Sequence, residues 1–121
     1  MSVIIFPYSQ SNKSVEKCCI ETFGVEYEDS PVSGMELNIY AALTKLDYKH
    51  LLNEREFRLL QIALIYYVYY QRNTFSKKGF FVRTKFLQMS RLTRMVVIET
   101  VKQAERANAF SLMGSSNPTH L

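Results

Sequence analysis

The chain has 121 residues, the size of one domain, which leaves little room for a second independent core. Hydrophobic residues make up 47 % and charged residues 21 %, a balance that excludes a chain disordered throughout. The formal net charge is +4, but it is unevenly distributed: four Lys face seven Asp and Glu up to His50, and eleven Lys and Arg face four Asp and Glu from Leu51 onward. The sequence therefore predicts an acidic first part and a localised basic surface later in the chain.

Three features bear on the compartment. Cys18 and Cys19 are adjacent and could form only a strained vicinal ring, so we predict free thiols in a reducing environment. Residues 1–8 have no positively charged n-region and only a short apolar run, unlike a secretory signal. The longest apolar stretch, residues 59–70, falls short of the roughly 20 residues of a membrane span. We therefore expect a cytoplasmic protein without membrane contact.

The first half of the chain divides into an extension and a helix. Residues 1–33 contain a β-prone piece at residues 3–6, a polar stretch and an acidic patch, and are predicted to form an N-terminal extension or arm. Leu37, Tyr40, Leu43 and Leu46 then recur every three residues, which predicts a helix over residues 35–47. This helix opens the main domain, residues 34–121.

A second helix is predicted over residues 54–71. Asn53 followed by Glu56 has the spacing of a capping box, and acidic residues suit the positive end of the helix dipole. The middle of this segment is apolar on every face, which is typical of a central helix buried by its own chain or by a second copy. A buried β-strand is the competing interpretation, although the length and the cap favour a helix.

The last third of the chain alternates short elements. A polar loop over residues 73–79 and a strand over residues 80–82 are followed by a helix over residues 84–89 and by a second helix that begins behind Thr93 and runs to Arg106. A short strand at residues 110–112 and a turn at residues 114–118 complete the prediction.

A short helix, a tight turn and a longer capped helix form the skeleton of a helix-turn-helix, whose second helix can lie in the DNA major groove. Apolar residues that would lock the two helices together are Leu87, Leu92, Val97 and Val101. The predicted fold class is therefore a mostly α single domain, helix-turn-helix or winged-helix-like, with short β pieces and an acidic N-terminal extension.

About half of the chain resembles a known family. Residues 52–56 (LNERE) resemble the start of its long helix, Lys77 and Lys78 match its basic loop, and residues 86–94 (FLQMSRLTR) match its helix-turn-helix block without a gap. Val97, Val101, Lys102 and Phe110 follow in register. The pattern is similar to winged-helix DNA-binding domains, most of all to the N-terminal domain of lambda-type phage replication O initiators and related phage and plasmid regulators. The resemblance implies a non-catalytic DNA-binding protein that takes part in replication or transcription.

The candidate DNA contacts are basic or polar residues of this motif. Arg94 is the best candidate for a base contact, and the other basic residues are candidates for phosphate contacts on double-stranded DNA. The full set is Lys77, Lys78, Arg83, Lys85, Arg91, Thr93, Arg94 and Lys102. Because DNA operators are commonly bound by symmetric protein dimers, we also expect a homodimer.

Two apolar groups leave alternatives open. Met95, Val96 and Ile98 are either core residues or the contact face of a protein-protein adaptor or inhibitor built on the same scaffold. The tyrosines of the second helix, Tyr66, Tyr67 and Tyr70 among them, are predicted to form a core and dimer seam. A platform that stacks on unpaired bases is the weaker alternative for these tyrosines.

No catalytic, metal or cofactor site is predicted. His50 and His120 lie far apart in sequence, and the adjacent cysteines lack the spacing of a zinc site. Nucleotide-binding, serine-hydrolase and metalloprotease motifs are missing from the sequence. The sequence therefore favours a binding protein over an enzyme.

Overall fold

The computed structural model describes the backbone of residues 13–47 and 52–120, and side chains as far as residue 107. The described chain is mostly helical, as the sequence predicts, and contains no β-strand. Its elements are α1 (Lys13–Phe23), a short 3₁₀ helix (Tyr27–Asp29), α2 (Glu36–Lys45), α3 (Glu54–Arg72), α4 (Lys77–Leu87) and α5 (Arg91–His120).

Helix α3 is the centre of the domain, because α1, α4 and α5 all pack against it, while α2 packs on α5. Side chains on several sides of α3 are buried, among them Phe57, Ala63 and Ile65. The predicted capping box is confirmed: the Asn53 side chain accepts from the Glu56 N–H at 2.8 Å, and the Glu56 carboxylate accepts from the Asn53 N–H at 3.1 Å. The chain itself thus covers its central helix, and the strand alternative is wrong.

Residues 13–33 contribute to the same core as the main helices. Val15 and Cys19 of α1 are fully buried, and so is Val32 in the turn before α2. The Tyr27 hydroxyl lies 3.0 Å from the Val32 carbonyl oxygen and 2.6 Å from a carboxylate oxygen of Glu36. These contacts attach the described part of the N-terminal segment to α2. The strand predicted at residues 3–6 lies outside the described residues.

The prediction of a strand over residues 80–82 is wrong, because these residues lie in helix α4. The helix begins at Lys77, inside the predicted polar loop, and its second half is the predicted helix over residues 84–89. The Ser76 side chain caps it by accepting from the Gly79 N–H at 2.7 Å. Gly79, Val82 and Phe86 recur at helical spacing and are buried, and α4 packs against α3. Burial on one helical face therefore decides the structure of a run whose composition also suits a strand.

Helix α5 is longer at both ends than predicted. It begins at Arg91, and its cap is Ser90 rather than Thr93, since the Ser90 hydroxyl accepts from the Thr93 N–H at 3.1 Å. The backbone stays helical to His120, so the strand at residues 110–112 and the turn at residues 114–118 are wrong. Helix propagation is favoured over a three-residue strand for which the described chain offers no pairing partner.

The helix-turn-helix prediction holds for connectivity but not for packing. Three residues, Gln88 to Ser90, separate α4 from α5. However, α4 packs against α3 and makes few contacts with α5. Leu87 and Leu92, predicted to lock the two helices together, are both more than two-fifths exposed, whereas Val97 and Val101 lie in the core. The described residues form no β wing.

The core contains one polar side chain that weakens it. Gln61 of α3 is 1 % exposed, and neither atom of its amide group has a hydrogen-bond partner among the described residues. Because an unpaired buried amide costs free energy, we expect Gln61→Leu to raise the free energy of unfolding by about 1–2 kcal/mol in urea denaturation. Gln71→Leu, at the exposed end of α3, is the control and should change it by less than about 0.5 kcal/mol. A destabilised Gln61→Leu variant would contradict the unpaired state of this amide.

Candidate nucleic-acid interface

Basic residues gather on α4 and on the first turn of α5. The sequence has no Asp or Glu between Glu56 and Glu99. Four cations lie on α4 and two at the start of α5: Lys77, Lys78, Arg83, Lys85, Arg91 and Arg94. Within the described chain, none of the six forms an ion pair, since the ion pairs there join Lys45 and Arg106 to Glu99, and Arg58 to Glu54. The positive charge of this surface is therefore not neutralised by the described carboxylates.

Three of the α4 cations sit over tyrosine rings of α3. A cation within about 6 Å of a ring centroid is attracted by the negative face of the ring. The pairs are Lys78 Nζ over Tyr69 at 5.3 Å, Arg83 Cζ over Tyr70 at 5.4 Å and Lys85 Nζ over Tyr66 at 5.7 Å. These contacts order the cations without neutralising them.

Two predicted contact residues are partly engaged within the protein. The Lys78 ammonium donates to the carbonyl oxygens of Glu21 and Thr22 at the end of α1. The Arg94 guanidinium donates to the Leu87 carbonyl oxygen at 2.6 Å, at the end of α4. Cations at helix C-termini stabilise the unpaired carbonyls there. Both residues therefore have structural roles beside any role in binding.

Lys102 lies apart from the other candidates. It lines an open depression together with Lys45, Glu99, Glu105 and Arg106. There the Glu99 carboxylate pairs with Lys45 at 2.9 Å and Arg106 at 3.1 Å, and the hydrogen bond from Lys45 lowers the pKa of Glu99. Thr93 is half-buried, and its hydroxyl lies 2.8 Å from the Ser90 hydroxyl. The structure thus places Lys102 in a mixed-charge region, whereas the other basic candidates lie on α4 and on the first turn of α5.

The apolar residues of α5 are unequally accessible. Val96 is 1 % exposed and belongs to the core, and Ile98 packs against that core. Met95 is 43 % exposed. An apolar cleft of about 200 Å³ has Leu59, Leu92 and Val96 among its lining residues. Of the three residues considered for protein contact, Met95 is the accessible one.

The tyrosines considered for a dimer seam are covered in part by α4 of the same chain. Tyr66, Tyr67 and Tyr70 are each half-buried. The rings of Tyr67 and Phe86 lie 5.0 Å apart, and cations of α4 cover Tyr66 and Tyr70. The homodimer stays a prediction, and these tyrosines support α4 in the single chain.

Three exposed phenylalanines near the cations in the sequence were not among the candidate residues. Phe75 precedes α4 and is fully exposed, while Phe80 and Phe81 on α4 are 66 % and 60 % exposed. The strand prediction concealed them, because a strand would bury one side of this run. Their signal in the sequence is the interleaving of aromatic and basic residues in a stretch without acids.

A buried thiol and a half-buried phenol make stability sensitive to alkaline pH. Burial raises the pKa of Tyr66 from 10.0 to about 12, with Cys18 adding to the shift, and burial also raises the pKa of the Cys18 thiol. Both groups ionise at lower pH when unfolded, so stability is retained below the unfolded pKa values and lost as pH rises toward the folded ones. We expect the free energy of unfolding to fall between about pH 9 and pH 12, and to fall less in Tyr66→Phe. An equal fall in both proteins, measured in urea, would contradict this assignment.

Neither the described residues nor known proteins indicate a further site or a family for this chain. The described residues contain no group of three His, Cys, Asp or Glu side chains placed to hold a metal ion. None of the described helices combines the length and apolar character that crossing a bilayer requires. No family model, curated protein or solved structure matches this chain.

Proposed function

We propose that this chain is a non-catalytic DNA-binding protein whose contact surface is α4 and the first turn of α5. One observation carries the proposal: six cations lie on these elements, and none of them pairs with a described carboxylate. Nucleic acids are recognised first through their phosphates, by Lys and Arg that release condensed counterions. The resemblance to lambda-type initiators supports a role in replication or regulation of a phage, plasmid or similar element.

The placement of the charges supports binding over a stabilising role. Helix α3 begins with Glu54 and Glu56, as the helix dipole favours, but α4 begins with Lys77 and Lys78. Helix α5 likewise has Arg91 and no acidic residue in its first turn. Cations at a helix N-terminus oppose the dipole and cost stability locally. A partner that brings negative charge would offset this cost, as phosphates do.

The geometry also modifies the predicted docking mode. Because α4 packs on α3 and not along α5, the cations of α4 form the larger part of the surface. Only the first turn of α5 adds to it, since Val96 and Val97 face the core. The proposed contact is therefore made mainly by Lys77, Arg83 and Lys85 to phosphates, with Arg91 beside them.

A fluorescence anisotropy titration with random-sequence duplex DNA tests the proposal. Four phosphate contacts predict an affinity that falls on the order of 10²-fold between about 50 mM and about 200 mM salt. Negligible affinity at the lower salt concentration, for this duplex and for its separated strands alike, would refute the proposal.

A second candidate function is a protein-protein adaptor or inhibitor. The observation that favours it is the apolar cleft lined by Leu59 and Leu92, which are both partly exposed, together with the exposed Met95 on the same helix as Leu92. Such a protein would show little affinity for duplex DNA and would lose its partner on Met95→Asp. Val96→Asp is not a usable test, because a charge at this buried position would destabilise the fold.

A further inference from the structure

The outward side of α4 carries aromatic rings that the fold itself does not use. Gly79, Val82 and Phe86 already supply the buried face of this helix. Phe80 and Phe81 project from the remaining surface, and Phe75 stands fully exposed in the preceding turn. Single exposed apolar residues are common, but Phe75, Phe80 and Phe81, called the patch below, are three exposed phenylalanines within seven residues of sequence, and such a concentration indicates an interaction site.

Cations accompany these rings on the same short segment. Lys77 lies between Phe75 and Phe80 in the sequence, and Arg83 and Lys85 follow Phe81. The Lys85 ammonium lies 5.0 Å from the centroid of the Phe81 ring. Surfaces that bind single-stranded nucleic acid combine cations for the backbone with aromatic faces for the bases.

We propose that Phe75, Phe80 and Phe81 stack on unpaired bases while the α4 cations hold the backbone, so that this surface prefers single-stranded DNA to duplex DNA. The inference rests on the proposed DNA-binding function and names its substrate. An 11-residue helix is about 16 Å long, which matches about five stacked nucleotides at roughly 3.4 Å each. The tyrosines of α3 lie beneath the cations and support them, so that the phenylalanines provide the stacking faces.

Other partners fit this patch less well. In duplex DNA the faces of the bases are covered by their neighbours, so the rings would gain little there. A helix that lies in a membrane interface presents a continuous apolar face. On α4 the exposed Lys77 and Thr84 interrupt the phenylalanines. A strand with accessible base faces and closely spaced phosphates satisfies both the rings and the cations.

The chain contains no tryptophan, which makes a direct test possible. Phe80→Trp and Phe81→Trp each introduce a single reporter, and Leu37→Trp, at an exposed position of α2, is the control. Each variant is titrated with oligo(dT) of about 12 nucleotides, within the usual site size, with the same strand paired to oligo(dA), and with phosphatidylserine vesicles. Stacking predicts quenching of the α4 reporters by oligo(dT) and no quenching of the control.

Affinity measurements complete the test. We expect oligo(dT) to bind at least about tenfold more tightly than the duplex, and Phe80→Ala and Phe81→Ala each to weaken oligo(dT) binding about tenfold, as loss of one stacked base does. Duplex affinity should change less than about twofold, since phosphate contacts remain. Circular dichroism checks that the variants stay folded.

The outcomes separate the two proposals. If neither oligo(dT) nor duplex binds, the proposed function fails and the inference fails with it. If duplex binds as tightly as oligo(dT), or the alanine variants bind oligo(dT) unchanged, stacking is refuted while DNA binding stands. A reporter that responds to vesicles and not to oligo(dT) would assign the patch to a membrane surface and overturn the inference.

Discussion

Replacing Lys77, Arg83 and Lys85 together by glutamine is expected to lower the affinity for random duplex DNA on the order of 10²-fold at about 0.1 M salt. Each lost phosphate contact should also flatten the dependence of log affinity on log salt by about 0.9. All three side chains are exposed, and none forms an ion pair in the described structure. The substitutions therefore remove charge with little change to the core.

The matched control removes the same net charge elsewhere. Lys13, Lys17 and Arg55 are exposed and lie on α1 and on the first turn of α3. Their joint replacement by glutamine should weaken binding less than about threefold, since distant exposed charges are largely screened at this salt concentration. If both triple variants lose affinity equally, general attraction by net charge explains the binding and the α4 surface is not the contact site.

The largest expected loss of stability comes from Gly79→Ala at the start of α4. A Cβ atom at this position would overlap the carbonyl oxygen of Asn73 and lie 2.9 Å from the Ser76 hydroxyl oxygen. The same Asn73 carbonyl accepts from the Ser76 N–H at 3.2 Å and the Ser76 hydroxyl at 3.1 Å, so it holds the turn between α3 and α4. The alanine must displace backbone, which we expect to lower the free energy of unfolding by about 2–3 kcal/mol.

The sign of the change in stability on Gly79→Ala tests the close approach of α4 to the Asn73 carbonyl. In an exposed helix interior, Gly→Ala usually stabilises by about 1 kcal/mol. Thr84→Ala, at an exposed position of the same helix, is the control and should stay within about 0.5 kcal/mol in urea denaturation. A Gly79→Ala variant at least as stable as the parent protein would show that α4 does not approach the Asn73 carbonyl so closely.

The sequence was sufficient to predict those features of the fold that depend on a few neighbouring residues. Asn53 and Glu56 place the start of α3, because a capping box depends only on residues three positions apart. The helix predicted over residues 35–47 is confirmed as α2, within two residues at each end. The clustering of cations after Arg72 was also readable, since charge is a local property.

Tertiary contacts decided what lies between these landmarks. Phe80 and Phe81 suit a strand by composition, yet they lie on a helix because Val82 and Phe86 bury against α3. Tyr66 and Tyr70 were candidates for a dimer seam or a stacking surface, yet side chains of α4 lie over them. Neither result follows from spacing alone.

The sequence by itself thus determined that the chain is mostly helical, where its central helix begins and which segment carries the positive charge. Only the tertiary structure decided which faces are buried, which cations are ion-paired and which aromatic rings remain exposed. The physical reason is range: caps, dipoles and charge depend on adjacent residues, whereas burial depends on segments far apart in the chain.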